Sequence, residues 1–541
     1  MANCCRTTIN RVLAIKQGTP NVPLAHSLST ARARCCSSRS NTAFVALVAL
    51  TWSLLVFHQS TVAAQSAGTG ASIQVVVDNS VAQKPISGRL LVLFSKKSNP
   101  APMMGPDWFS PEPFVAMDVR DVKPGQKIVL TDAADGFPRR LSKIPPGKYF
   151  VQAVLDQDLD FANHNDGPGN LYSPVTSVVV RRDRPLSAEL LLSSKIRATR
   201  YNQSKFANVF SHRSKLLSDF HQRELNDRAL VLLPASYFNE PNKRYPVYYE
   251  ITGFGATIKK LLGHYRQSKI ASSGVEFIHV ILTGQCQWGH HVYANSATNG
   301  PRGEAFVNEL IPAIDKMFRT IPDPKARFLG GHSSGGWASL WLQVNYPDKF
   351  SGAWSTAPDP VDFRDWQGTN LYEPNANVYR TATGIRKPLA RGRLRTLLWY
   401  DDFTKMDDAL GRGGQIRSFE AVFSPLDKNG TPARCWNRTT GTVDPKVVEA
   451  WKEYDISLLL KENWQELKQP LTGKIHLFMG TKDTFYLNRA AELLAERLRA
   501  LGSDARIEFF EGRNHSNLVD PAMRRRIHRE MAERFLINSP R

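Results

Sequence analysis

Residues 330–336 read Gly-Gly-His-Ser-Ser-Gly-Gly. They follow the apolar run Arg327-Phe328-Leu329 and precede Trp337-Ala338-Ser339-Leu340-Trp341-Leu342, a pattern that predicts strand, tight turn and helix. A serine at the apex of such a turn is forced into a strained backbone conformation. Its neighbours at minus two and plus two must then be small, which Gly331 and Gly335 are. The segment therefore reads as a nucleophile elbow around Ser333. The helix that follows points its first amides back at the turn, where the Ser334 N–H is placed to stabilise an oxyanion. A bare G-x-S-x-G recurs by chance, but the strand-turn-helix context and the additional glycine at each end make it specific here.

An activated serine needs a base, and the base an acid to orient it. Three histidines follow Ser333 in the chain. His476 lies inside the apolar strand pattern Lys474-Ile475-His476-Leu477-Phe478-Met479, and His528 in the charged helical stretch 523–529, where a solvated face is expected. His515 instead sits in the loop Glu511-Gly512-Arg513-Asn514-His515-Ser516, directly after the strand pattern 505–510. Loops at the C-terminal ends of parallel strands are where an open α/β sheet gathers its chemistry. Gly480-Thr481-Lys482-Asp483-Thr484 closes the preceding strand in the same way, so Asp483 is the expected acid. The second oxyanion donor is expected after an earlier strand, Tyr245 to Ile251, from the Phe254 N–H in Thr252-Gly253-Phe254-Gly255.

With these residues in place the chain resembles the putative-esterase branch of the α/β-hydrolases, which includes enterochelin esterases, feruloyl and acetylxylan esterases and S-formylglutathione hydrolases. Further support comes from Leu232-Leu233-Pro234-Ala235-Ser236-Tyr237 before Arg244-Tyr245-Pro246-Val247, and from Asn299-Gly300-Pro301 leading to Glu309-Leu310-Ile311-Pro312. The resemblance covers about residues 205–541 apart from an insertion. It implies a doubly wound, mostly parallel sheet and serine-dependent ester hydrolysis without a metal or other cofactor, with Ser333, Asp483 and His515 on the catalytic positions. Many relatives carry His-Gly where this chain has Thr252-Gly253, a departure that concerns the loop's shape more than its backbone donor.

The catalytic segment occupies only part of the 541 residues. Residues 1–42 contain six basic side chains and no Asp or Glu, an apolar stretch runs from Ala43 to Phe57, and Val62-Ala63-Ala64 offers a small-residue cleavage pattern. The expectation is a signal peptide over 1–64 and a secreted or periplasmic protein. The apolar stretch is shorter than the ~20 residues of a membrane span, so no stable span is expected after cleavage. Cleavage would lower the formal charge from +21 to +15, still basic but dispersed, with no nucleic-acid motif and no interleaving of aromatic with basic residues. It would also leave two cysteines, Cys286 and Cys435, which an oxidising compartment would allow to pair.

From 71 to 194 the pattern changes to short strands separated by turns such as Pro145-Pro146-Gly147, which predicts an immunoglobulin-like β-sandwich that braces the enzyme or binds carbohydrate. Strand-helix alternation then resumes, but breaks between 359 and 470 in a stretch rich in Trp, Tyr and Phe. An insertion there is expected to cap the site and line a substrate pocket. The loop Trp288-Gly289-His290-His291-Val292-Tyr293-Ala294-Asn295 offers His290, His291 and Asn295 as substrate contacts. Adjacent histidines do not readily chelate one ion and no Cys or acidic neighbour completes a site, so no metal is expected.

The reading is an exported serine esterase acting on a small-molecule or carbohydrate-linked ester. The alternatives are a serine peptidase or acyltransferase of the same fold, because the triad does not choose the acyl acceptor, and a catalytically silent carbohydrate-binding protein.

Overall fold

The computed structural model describes residues 70–538; the expected signal peptide lies outside them. Eight strands form the central sheet: β1 Ala207–Arg213, β2 Asn226–Leu232, β3 Val247–Ile251, β4 Ile278–Leu282, β5 Arg327–His332, β6 Gly352–Thr356, β7 Ile475–Gly480 and β8 Arg506–Phe510. Their order is β1-β2-β4-β3-β5-β6-β7-β8, with β2 antiparallel to both neighbours and every pairing from β4 to β8 parallel.

Strands of a parallel sheet covered on both faces read as continuous apolar runs, because neither face meets water. β4, β6 and β7 are buried at every position. Successive side chains nevertheless serve opposite layers: Tyr249, Leu329 and Leu477 join one core with Trp337 and Leu340 of the helix Ser334–Asn345. Their neighbours Tyr248, Phe328 and Phe478 join another with Met523, Ile527 and Met531 of the helix Pro521–Asn538. Truncating one of these fully buried residues to alanine costs about 2–5 kcal/mol.

Residues 72–195 hold two further sheets. One contains Lys127–Leu130, Ser72–Val77 and Ser187–Leu192; the other has seven strands, with Gly147–Asp156, Ile86–Ser95 and Phe114–Val122 at its centre. Leu90, Val92 and Phe94 face a core shared with Ile73, Val75 and Leu190 of the smaller sheet. The intervening Leu91 and Leu93, with Phe114 and Phe137, join the main core around the eight-stranded sheet. Both faces of the larger sheet are thus buried, and the β-rich region is welded to the rest instead of hanging from a linker. Arg89 ties the seam polar-side, donating from Nη2 to the Ala409 carbonyl at 2.6 Å while pairing with Asp135 at 2.7 Å.

Between β6 and β7 the chain runs through a small hairpin, Pro388–Arg391 with Thr396–Trp399, and several short helices, including Tyr400–Leu410 and Gln415–Phe423. Its aromatic residues mostly pack on one another: Trp366 lies 5.0 Å from both Phe419 and Trp451, ring centre to ring centre. No helix among the described residues is long and apolar enough to cross a membrane.

Candidate active site

The C-terminal ends of β3, β5, β6, β7 and β8 meet along one edge of the sheet. Ser333 follows β5 with φ +60° and ψ −125°, the strained elbow conformation. The glycines around it are required by close approach: a Cβ on Gly331 would collide with the Gly335 and Ile251 carbonyls, and one on Gly335 with the Ile251 carbonyl. β3 and β5 run so close here that only hydrogen fits. The loop after β3 passes equally near, since a Cβ on Gly253 would sit 3.3 Å from the Ser333 Cβ. Ser334 opens the helix, so its N–H belongs to the first turn that has no intrahelical partner.

Asp483, fully buried after β7, accepts from the Phe485 N–H at 2.9 Å and meets His515 Nδ1 at 2.7 Å. That contact engages Nδ1 and leaves Nε2 as the nitrogen available for proton exchange. Ser333 and His515 line one cavity of about 250 Å³, together with Gly253 and Phe254. Leu389, Ile416, Phe419 and Leu487 supply its apolar wall. Three of those four come from the 359–470 insertion.

One charged residue in this cavity escaped the sequence reading. Asp359, just past β6, approaches Ser333 Oγ to 3.5 Å through Oδ1 and accepts from Ser334 Oγ at 2.6 Å through Oδ2. It is 7% exposed, and burial raises its pKa to about 6 against hydrogen bonds from both serines and the proximity of His515. The signal was available, because Thr356-Ala357-Pro358-Asp359 ends a strand just as Gly480 to Asp483 does. His332, its ring 4.6 Å from that of His515, is held neutral by burial, with its pKa lowered to about 3.

Three expected substrate contacts lie elsewhere. His290 is buried with its Nδ1 accepting from the Val292 N–H and its Nε2 on the Thr252 carbonyl at 3.0 Å. Burial lowers its pKa to about 4, so the ring is neutral and Nε2 carries the proton it donates. His291 accepts from the Tyr293 N–H, and Asn295 Oδ1 accepts from the Gly303 and Glu304 N–H groups. These side chains satisfy a buried loop, and none lines the cavity with Ser333. Backbone groups in an apolar setting must be paired, and here histidine and asparagine do the pairing.

The expected disulfide is also absent, for both cysteines are free and buried. Cys286 belongs to the tight pairing of Gln285–Cys286 with Gly289–His290 and points its sulfur at Asn299 Oδ1, 3.5 Å away. Cys435 is held by its own N–H on Glu420 Oε1 at 2.9 Å, beside the Glu420–Arg438 ion pair. Burial raises both thiol pKa values. Among the described residues no group of three His, Cys, Asp or Glu side chains is arranged to hold a metal ion.

No curated protein matches the chain. Solved structures that resemble it include a ferulic acid esterase, 17% identical over 61% of this chain and 100% of that one, with a TM-score of 0.37. An S-formylglutathione hydrolase from Agrobacterium tumefaciens is 16% identical over 62% of this chain and 98% of its own, TM-score 0.37. The Staphylococcus aureus serine hydrolase FphF is 16% identical over 61% and 98%, TM-score 0.37. The family model described as "Putative esterase" matches residues 224–518, more than half of the chain and every strand of the central sheet except β1. The chain belongs to the putative-esterase family.

Proposed function

We propose that the chain is an exported serine esterase that forms an acyl-enzyme on Ser333. The observation that carries this reading is the Asp483–His515 contact at 2.7 Å on the wall of the cavity that Ser333 also lines. Ser333 Oγ attacks the ester carbonyl while His515 Nε2 takes its proton, and Asp483 steadies the imidazolium that results. The oxyanion forms against the Ser334 and Phe254 N–H groups. Collapse breaks the bond to the alcohol, which leaves with the proton from His515; water then repeats the sequence in reverse and frees the acid.

The two sheets of residues 71–194 are read as an immunoglobulin-like sandwich, and the 359–470 insertion as a cap whose Leu389, Ile416 and Phe419 set acyl preference. Export follows from residues 1–64, and Edman sequencing of the protein recovered outside the cytoplasm is expected to begin at Gln65. The catalytic assignment is tested with a fluorophosphonate probe. Wild-type protein should be labelled at Ser333 and Ser333→Ala not at all; an unlabelled wild type that is folded would defeat the proposal.

A further inference from the structure

The cavity that Ser333 and His515 line holds one carboxylate and, among the described residues, no Lys or Arg. That carboxylate is Asp359. Its Oδ1 stands 3.5 Å from Ser333 Oγ, and its Oδ2 accepts from Ser334 Oγ at 2.6 Å. The chargeable groups that act on it are His515 and Asp483, which are already in contact with each other at 2.7 Å. His332, on the same wall, is neutral. Among the described residues, then, this buried acid beside the nucleophile has no counter-ion of its own.

Neither the fold nor the hydrolysis of a neutral ester calls for a charge here. An asparagine would keep an oxygen acceptor for Ser334 without the cost of burying an ion. Acyl transfer, moreover, builds negative charge on the carbonyl oxygen, and a carboxylate beside the nucleophile opposes that charge where water is excluded. A cation carried by the substrate reverses both effects, because it pairs with the buried carboxylate and offsets its field as the oxyanion forms.

The surrounding wall fits such a cation. Trp108 reaches the cavity from the loop between the strands Ile86–Ser95 and Phe114–Val122 of the β-rich region. Its ring centre stands 5.6 Å from that of Phe254 and 4.9 Å from that of Phe403, both of which also line the cavity. Aromatic rings attract an ammonium through their π faces, whereas aliphatic surface only desolvates it. Leu389, Ile416 and Leu487 supply an apolar wall for a side chain. On an acyl group bonded to Ser333 Oγ, substituents of the α carbon come closest to the atoms beside Oγ, Asp359 Oδ1 among them. An ammonium farther along the chain would be carried away from the carboxylate. We propose that the cavity takes acyl groups bearing an α-ammonium, namely esters of α-amino acids with apolar side chains, and that Asp359 determines this specificity by pairing with the ammonium. The proposal rests on the serine-esterase reading and gives the substrate class of the same site.

Wild type and Asp359→Asn are compared on leucine methyl ester and methyl 4-methylpentanoate, which differ only in the α-ammonium, with the released acids separated by chromatography. At pH 7 an α-amino group, with a pKa of about 7.7–8.0, is mostly charged. So is Asp359, with its pKa raised to about 6. Fluorophosphonate labelling and hydrolysis of p-nitrophenyl acetate by wild type first establish an active Ser333, so that a failure of the esterase reading is recognised separately. The kcat/KM ratio of leucine methyl ester to methyl 4-methylpentanoate is expected to fall at least about tenfold in Asp359→Asn. An unchanged ratio overturns the proposal. A second pair, acetylcholine and 3,3-dimethylbutyl acetate, carries the cation on the alcohol instead. A larger fall in that ratio than in the first would place the cation on the leaving group and overturn the acyl assignment. Calorimetry with Ser333→Ala, which cannot turn its ligand over, is expected to show leucinamide binding at least about tenfold tighter than 4-methylpentanamide at pH 7. Equal affinities, or no detectable binding of leucinamide, overturn the proposal even if Asp359→Asn does not fold.

Discussion

Ser333 Oγ and Asp359 Oδ1 lie 3.5 Å apart, and the other oxygen of the same buried carboxyl accepts a 2.6 Å hydrogen bond from Ser334 Oγ. A carboxyl with its pKa raised to about 6 has a calculable effect on stability. Between the ordinary value of 3.8 and about 6 the folded chain binds more protons than the unfolded one. Stability therefore falls as pH rises through that window, and the cost is complete above it. At about 1.4 kcal/mol per pKa unit it amounts to roughly 3 kcal/mol. Asp359→Asn keeps an acceptor and removes the charge. Its Tm is expected to exceed that of wild type by a few degrees at pH 8 and to match it at pH 4. Melting curves at the two pH values check this, and an equal offset at both would contradict the burial of the charge.

Asp483 accepts from His515 Nδ1 and so selects the tautomer with Nε2 free. Asp483→Asn would present an N–H donor to that nitrogen and favour the opposite tautomer. Replacing this acid in a serine triad costs up to about ten-thousand-fold in kcat. Asp483→Asn is therefore expected to lose roughly a hundred- to ten-thousand-fold in kcat, with little change in KM. Steady-state kinetics on p-nitrophenyl acetate measure it. A variant within a factor of three of wild type would move the acid's role to Asp359.

The sequence made some of this site legible because the constraints are local. The elbow demands glycines at 331 and 335, and the ends of β7 and β8 announce Asp483 and His515 by position alone. His290 and His291 misled for the opposite reason. A histidine in a short loop reads the same whether its ring faces a cavity or satisfies a backbone carbonyl, and Thr252, 38 residues away, is the partner that decides. Asp359 was hidden by its neighbours, because the break in the strand-helix rhythm begins at the same residue. No local pattern announces Trp108, whose meaning lies in contacts with Phe254 and Phe403.

His290 gives the misread loop a testable role. Its donated hydrogen bond to the Thr252 carbonyl anchors the segment leading to Phe254, and its Nδ1 accepts from Val292. His290→Leu abandons two buried backbone groups, each costing about 1–3 kcal/mol. The expected result is a lower denaturation midpoint in urea and a reduced kcat at nearly constant KM, with His290→Gln recovering part of both. If kcat at a temperature where the variant is fully folded equals that of wild type, His290 supports the fold without positioning the oxyanion loop.

Free, separately enclosed Cys286 and Cys435 imply that reductant is irrelevant to stability. The Tm of the chain from Gln65 onward is expected to agree within about a degree with and without dithiothreitol, since a native disulfide would contribute about 2–5 kcal/mol. Alkylation with iodoacetamide should modify neither cysteine in the native protein, both being buried, and both after unfolding without reductant. Mass spectrometry after each treatment reads the count, and a protected pair after unfolding would restore the disulfide.

The apolar wall of the Ser333 cavity predicts how acyl preference responds to volume. Leu389, Ile416 and Phe419 belong to the insertion yet share the main core with the catalytic sheet, so removing the whole segment would uncover that core and unfold the chain. Single truncations are the informative experiment. Phe419→Ala opens space beside the cavity, and each methylene newly accommodated in an apolar pocket is worth about 1–3 kcal/mol in transition-state binding. Butyrate carries two methylenes more than acetate, so the kcat/KM ratio of p-nitrophenyl butyrate to p-nitrophenyl acetate is expected to rise about thirtyfold or more in Phe419→Ala. Phe419 also packs on Trp366 at 5.0 Å, so some stability is lost as well, and the assay belongs well below the variant's Tm. Leu389→Ala lacks that aromatic contact and should shift the ratio in the same direction. Unchanged ratios in both variants would place the acyl chain elsewhere.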